Sequence, residues 1–280
     1  MISPTILVTN DDGPKAPTGR ALIAELAKAS WRGELRVAIP AEEQSWIGQA
    51  VTRFRPIFTS EHDFEGVPGY LVSGTPADCV GLGLHQLYPD VAELVVSGIN
   101  LGTNATLPFY LNSGTVGGAR QALTFGVRSI GFSALMPENI FAQWREDDHE
   151  AMRAHSADWT RLAETCVDLA GRLIAEECWQ GVDLYSVNVP WLADRETPVV
   201  LTELSRITYK PLYRRRSDGG FEHHLSGFSE PRKSSAHGAL PSDLATIQGG
   251  QISVTPIRYD LSRFSAEQVG SLTERLNARR

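Results

Sequence analysis

The sequence predicts an α/β fold: a Rossmann-like, doubly wound, mostly parallel sheet with a C-terminal β-rich arm. Three observations carry that expectation. Apolar runs short enough to be buried strands, such as Ile6-Leu7-Val8 and Leu94-Val95-Val96, alternate with amphipathic stretches of helical period through roughly the first 190 residues. Several of these runs break off in polar, Gly-containing turns at their carboxyl ends, where sheets of this kind bind ligands. From about residue 198 the composition changes to β-rich segments separated by polar stretches.

The first strand, Ile6 to Val8, ends in Asn10-Asp11-Asp12-Gly13. Neighbouring side chains on a strand point to opposite faces, so Asp11 and Asp12 converge only if the chain turns, which Gly13 permits. Two like charges held close need a shared proton, a basic partner or a cation, and the first basic residue after them is Lys15. A solvated Asp-Asp-Gly turn is the plainer alternative. Thr18 is the expected N-cap of a helix carrying Leu22, Ile23, Leu26 and Ala29 on one face. Leu35 to Pro40 reads as the second strand, with the Ser45-Trp46 loop at its carboxyl end. Residues 50–72 alternate like a hairpin. Pro76 opens a helix continuing to about Leu87.

Leu94-Val95-Val96 repeats the opening pattern and runs into Ser97-Gly98-Ile99-Asn100-Leu101-Gly102-Thr103-Asn104. Ser113-Gly114-Thr115-Val116-Gly117-Gly118 then opens a helix whose small residues would let backbone amides approach an anion; tight packing on the sheet explains such glycines equally well. Val127 to Phe132 reads as a strand, residues 137–156 as an irregular insertion, Asp158 to Cys178 as a long helix and Tyr185 to Pro190 as a strand. The predicted division is a Rossmann-like core over 1–197, with the insertion, and a β-rich arm with a terminal helix over 198–280. His223, His224 and His237 show no metal-ligand spacing and read as exposed loop residues. Ser265 to Arg280 is the expected terminal helix.

With 42% hydrophobic and 21% charged residues the chain has the composition of an ordinary globular protein. A net charge of −7, with no basic stripe beyond Arg214-Arg215-Arg216, argues against duplex nucleic acid as a partner. Cys79, Cys166 and Cys178 are widely spaced and odd in number, which suggests neither a disulfide framework nor a zinc site. The N-terminus has no signal-peptide pattern, and no apolar run is long enough to span a bilayer, so a cytoplasmic location without membrane contact is expected.

Taken in order, NDDG, the Ser45 loop, SGTPADCV, VSGINLGTN, SGTVGGA, SVNVP and ISVTPIRYDL resemble the SurE survival-protein family of metal-dependent nucleotidases. The resemblance spans nearly the whole chain and is weakest over 137–183 and 205–240. It implies a phosphatase acting on nucleoside monophosphates, a 5′/3′-nucleotidase. It also implies one divalent cation per subunit, Mg or Mn, and an arm used in a homodimer or homotetramer. Carried over by position, Asp11, Asp12, Ser45 and Asn100 would hold the metal. Asn104, Ser113, Gly114 and Thr115 would hold the phosphate. Asp11, Asp12 and Asn10 are then the catalytic candidates, Asn10 to position an acid or the attacking water. The metal set is chemically consistent, being all oxygen donors suited to a hard cation.

Departures from the family pattern lie close to the site. Trp46 stands where a Gly usually follows the metal-binding Ser, and Asn112 replaces an aromatic residue before SGTV. Pro241-Ser242-Asp243 matches a GTD-like turn only at its Asp. Trp46 either packs away from the site or lines the pocket and stacks on a base. Two other classes share parts of this pattern. A non-catalytic nucleotide- or phosphate-binding homologue would keep the fold and lose a ligand, yet all four ligand types are present. A receiver-like signalling domain would need an acceptor Asp and a Lys after later strands, where Ser133-Ala134-Leu135 stands.

Overall fold

The computed structural model describes residues 3–146, 148–229 and 240–260, together with 265, 267, 269 and 276. The first strand, β1 (Ile6–Thr9), is buried on both faces. Ile6 and Val8 pack with Leu22, Ile23 and Leu26 of helix α1 (Pro17–Lys28), whereas Leu7 packs into a second cluster with Val80 and Leu84. Strand alternation thus places a helical layer on each side, and a continuous apolar run is what such a strand requires. Helix α1 starts at Pro17, whose fixed φ and missing N–H suit the first turn. Thr18 is not its cap: Ala16 holds that position, and the Thr18 hydroxyl instead donates to the Ile99 carbonyl at 2.6 Å, tying the helix to a neighbouring strand.

Next come β2 (Leu35–Pro40), the hairpin β3 (Thr59–Asp63) and β4 (Pro68–Val72), helix α2 (Pro76–His85) and strand β5 (Leu94–Leu101). Thr75 and Asp78 close a capping box at the start of α2, each side chain satisfying the other's backbone amide. Helices α3 (Leu107–Asn112) and α4 (Gly114–Leu123), strand β6 (Arg128–Leu135), helices α5 (Glu138–Arg145), α6 (His149–Ala154) and α7 (Ser156–Leu173), and strand β7 (Leu184–Pro190) follow. The segment expected to be irregular is therefore helical. Its apolar residues are too sparse for a visible period, yet Ile140 and Met152 are buried with Trp159, and Asp148 caps α6 through a 3.0 Å bond from the Ala151 amide.

The C-terminal portion contains β8 (Val199–Leu201), β9 (Thr208–Tyr209), β10 (Tyr213–Arg215), β11 (Phe221–His223), β12 (Phe228–Ser229), α8 (Asp243–Gln248) and β13 (Ile252–Ile257). The nine-stranded main sheet has the order β3-β4-β2-β1-β5-β6-β7-β13-β8. Strands β4, β2, β1, β5, β6 and β7 run parallel, and β13 joins antiparallel to β7 with β8 parallel beside it. The stretch after 198 is thus divided. Strands β8 and β13 extend the core sheet, while β9–β12 form two small antiparallel pairs outside it. The terminal helix expected from Ser265, and His237, lie for the most part or wholly outside the described residues. Among the described residues no helix is long and apolar enough to cross a membrane.

Strand order changes direction at β1: β2 lies on one side and β5 on the other. A doubly wound sheet opens a crevice at the carboxyl ends of strands flanking such a point. The Asp11-Asp12 turn and Asn100 occupy those ends.

Candidate active site

A cavity of about 1200 Å³ lies over these strand ends, and Asp11, Asp12, Ser45, Asn100, Asn104 and Ser113 all reach its wall. Residues from β1, β2, β5 and the start of α4 thus meet although they are up to 102 positions apart (113 − 11).

The turn after β1 is built by its own side chains. The Asn10 amide donates to the Gly13 carbonyl and accepts from the Gly13 amide, both at 3.1 Å, while Gly13 takes a φ of 77° that favours glycine. The Asp11 carbonyl accepts from Gln44 at 2.7 Å, which brings the Ser45 loop alongside. The Leu101 amide donates to Asp12 Oδ2 at 3.0 Å, and Thr115 Oγ1 donates to Asp11 Oδ1. Each carboxylate is thereby anchored on one oxygen by a different element.

Both carboxylates are almost fully buried. Burial, opposed by the Thr115 hydrogen bonds, pushes Asp11 up to about 6. Burial and the adjacent Asp11 charge raise Asp12 well above the ordinary range, against the Leu101 hydrogen bond. Glu43 adds a further negative charge near both. A buried pair of this kind costs stability when ionised unless a cation joins it. Nearby donors complete a plausible oxygen set. The Asn100 amide nitrogen is committed to the Gly102 carbonyl at 2.6 Å, leaving the amide oxygen for a ligand. Ser45 Oγ donates to Glu43 Oε1 at 2.6 Å and keeps its lone pairs. Carboxylates, amide and hydroxyl fit a hard divalent cation. Among the described residues no cluster of three His, Cys, Asp or Glu side chains competes with this set.

The start of α4 packs directly against the acidic turn. Ser113 caps the helix, its Oγ accepting from the Val116 amide at 3.0 Å. A Cβ at Gly114 would lie 2.8 Å from Asp11 Oδ2 and 2.8 Å from the Gln44 carbonyl oxygen, so only glycine lets the helix start approach the acidic turn this closely. Thr115, expected as a phosphate ligand, is fully buried and directs its hydroxyl to Asp11 instead. The Asn104 side chain likewise donates to Ser133 Oγ at 2.7 Å, although the residue lines the cavity.

Residues not singled out from sequence hold this wall in place. Asn188 Oδ1 accepts from the Asn104 amide at 2.8 Å and from Thr103 Oγ1 at 2.9 Å. Asp243, wholly buried, accepts from the Thr106 amide at 2.6 Å and from the Ser205 amide at 2.9 Å. Thr106 sits at a φ of 79°, a conformation that a β-branched residue keeps only under such restraint. The sequence signal for Asn188 was SVNVP, a strand end beside β6; for Asp243 it was the single match to the expected turn.

The rim is aromatic. Trp46 meets Phe109 at 5.6 Å between ring centroids, Tyr209 at 5.7 Å and His223 at 4.6 Å. Trp46, Phe109, Asn112 and His223 line the cavity. Trp46 thus belongs to the pocket, and His223 and His224, read as loop histidines, reach its wall from β11 and the residue after it. Asn112 donates to the Pro108 carbonyl at 3.1 Å and to the Tyr209 hydroxyl at 3.4 Å, joining α3 to β9.

The family profile described as "Survival protein SurE" matches residues 6–211. A protein of Deinococcus radiodurans named 5′-nucleotidase SurE is 36% identical over 282 residues, covering 98% of this chain and 93% of its own. One of Methanocella arvoryzae with the same name is 34% identical over 261 residues, covering 92% of each chain. The crystal structure of the SurE protein from Aquifex aeolicus superposes with a TM-score of 0.71 at 27% identity, covering 98% of this chain and 99% of that one. With its acidic turn, helix start and sheet order in the arrangement described, and with this match over most of its length, the chain belongs to the SurE family.

Proposed function

We infer that the chain is a divalent-metal-dependent phosphomonoesterase that hydrolyses nucleoside monophosphates to nucleoside and phosphate. The observation that carries this reading is the buried Asp11-Asp12 pair, which among the described residues forms no ion pair, packed against the N-terminus of α4 in the wall of one cavity. Relatives of similar length named 5′-nucleotidase support the substrate class.

Asp11, Asp12, Ser45 and Asn100 would hold the cation. When bound, such an ion supplies positive charge against the phosphate and lowers the pKa of water. The chain's residues do the rest. Ser113 and the Gly114 amide, at the positive end of the α4 dipole, bind the phosphate oxygens and favour the growing negative charge of the transition state. Thr115 and Leu101 lock the rotamers of Asp11 and Asp12, so that ligand geometry exists before substrate arrives. Asn10 shapes the turn that presents both carboxylates, a positioning role. Asn104, held by Ser133 and Asn188, closes the phosphate side of the cavity.

Mg and Mn are the cations of choice for an all-oxygen set, with one ion per chain. The small strand pairs β9–β12 expose Tyr213, at 64%, and Phe221, at 69%, so we assign them to contact with a second copy in a homodimer or homotetramer. Light scattering across a wide concentration range checks this, and a monomer throughout refutes it.

Phosphate release from a panel of 5′- and 3′-nucleoside monophosphates, with added Mg or Mn and then with chelator, tests the assignment. Turnover that needs the metal and is lost to the chelator is expected. Nucleotide binding without phosphate release would make the protein a binding module.

A further inference from the structure

Trp46 holds a backbone conformation that its side chain disfavours. Its φ of 59° lies in the left-handed region, which suits glycine far better than a bulky L-residue. Such an outlier persists only where the surroundings enforce it, and it is a pointer to use. Those surroundings are aromatic rings, one edge-on and two tilted. Phe109, Tyr209 and His223 meet the indole at interplanar angles of 64°, 40° and 59°, so none of the three lies flat on it. The residue also remains 39% exposed, in the wall of the cavity that contains the acidic turn. That cavity, of about 1200 Å³, is far larger than a phosphate requires. Sites that hold a ligand of nucleotide size span roughly 300–1000 Å³.

Resting on the nucleotidase reading above, we propose that Trp46 is a stacking platform for the nucleobase, with Phe109 and Tyr209 bracing the indole and His223 of β11 completing the base subsite. The phosphate binds at the floor, beside Ser45. The base, still joined to the sugar, projects toward the residue that follows Ser45 in sequence. A flat, polarisable ring supplies the parallel contact that the indole lacks. Stacking is tolerant of base identity because every base has a π-face. The subsite therefore selects nucleotides over phosphorylated sugars while tolerating different bases.

The test compares kcat/KM for adenosine 5′-monophosphate and for ribose 5-phosphate, which carries the same sugar and phosphate without a base. Metal-loaded wild type, Trp46→Gly and Trp46→Phe are measured side by side. The nucleotide-to-sugar preference is expected to fall roughly 5- to 100-fold in Trp46→Gly, mainly through KM, as stacking of about 1–3 kcal/mol implies at 1.4 kcal/mol per tenfold. Trp46→Phe should retain most of the preference. Equal losses on both substrates, or an unchanged preference in Trp46→Gly, would overturn the proposal. Quenching of indole fluorescence by adenosine 5′-monophosphate gives a readout independent of turnover. It should be present in the wild type and diminished in Trp46→Phe, and its absence in the wild type also overturns the proposal. Wild type that quenches but hydrolyses no nucleotide would instead remove the nucleotidase reading and leave the subsite standing.

Discussion

The floor and the rim of the cavity are built on opposite physical terms. The floor is buried and charged: Asp11 and Asp12 sit on strand ends, each fixed by a hydrogen bond from another element. The rim is half-exposed and aromatic, assembled from a loop, a six-residue helix and short strand pairs through Trp46, Phe109, Tyr209 and His223. Charge held in a low dielectric gives large effects on a reacting phosphate, whereas stacking at a wet edge gives modest ones. The difference separates the chemistry, which belongs to the floor, from the choice of substrate, which belongs to the rim.

The largest effect should come from the floor. Asp11→Asn and Asp12→Asn, measured by metal-dependent phosphate release, are expected to lower kcat by about 10²–10³-fold, the loss typical of one preorganised electrostatic group. Near-normal turnover by both at saturating Mn would move the chemistry away from the acidic turn.

Asp243→Ala addresses the joint between the two regions. It would strand the buried Thr106 amide, at roughly 1–3 kcal/mol, remove the acceptor of the half-buried Ser205 amide, and free the segment that leads into the helix carrying Phe109. A lower Tm is expected, by about 2–4 °C per kcal/mol, and Asp243→Asn, which keeps one of the two acceptor oxygens that Asp243 uses, should lose less. An unchanged Tm would show the two regions to be independent.

Gly114→Ala tests the closeness of the helix start to the acids. The added Cβ meets Asp11 Oδ2 and the Gln44 carbonyl oxygen at 2.8 Å, so the helix must withdraw. Overpacking of this kind costs about 1–3 kcal/mol. Activity should fall with stability, and a variant that is stable and fully active would disprove the tight approach.

The smallest effect has the opposite sign. Without metal, Asp12→Asn removes one ionisable group from a buried carboxyl pair while an amide oxygen can still accept from Leu101. Thermal denaturation of the metal-free variant should show a Tm a few degrees above the metal-free wild type, and the order should reverse on adding Mn. A lower Tm without metal would mean that the pair is not under electrostatic stress.

The same contrast decides what was legible in sequence. The parallel core was readable because buried strands write themselves as apolar runs, as Ile6-Leu7-Val8 does, and the floor was readable because its residues fall in turns directly after those runs. Thr115 looks in sequence like a phosphate ligand, because residue type at a helix start says nothing of which neighbour a hydroxyl finds; here it finds Asp11. Helices α5 and α6 were missed because short helices with few apolar anchors have no visible period. Strands β8 and β13 were assigned to an arm because a composition change does not reveal that the chain returns to the sheet edge. The rim was the least legible part: Trp46, Phe109, Tyr209 and His223 belong to different elements, and only tertiary contact brings them together.

Calorimetric titration of metal-free protein with Mn, on wild type and Asp12→Asn, tests the central claim most directly. One ion per chain is expected in the wild type, with affinity largely lost in the variant. Binding that is undiminished in Asp12→Asn, or no binding in a folded wild type, would contradict the assignment of the acidic turn as a cation site.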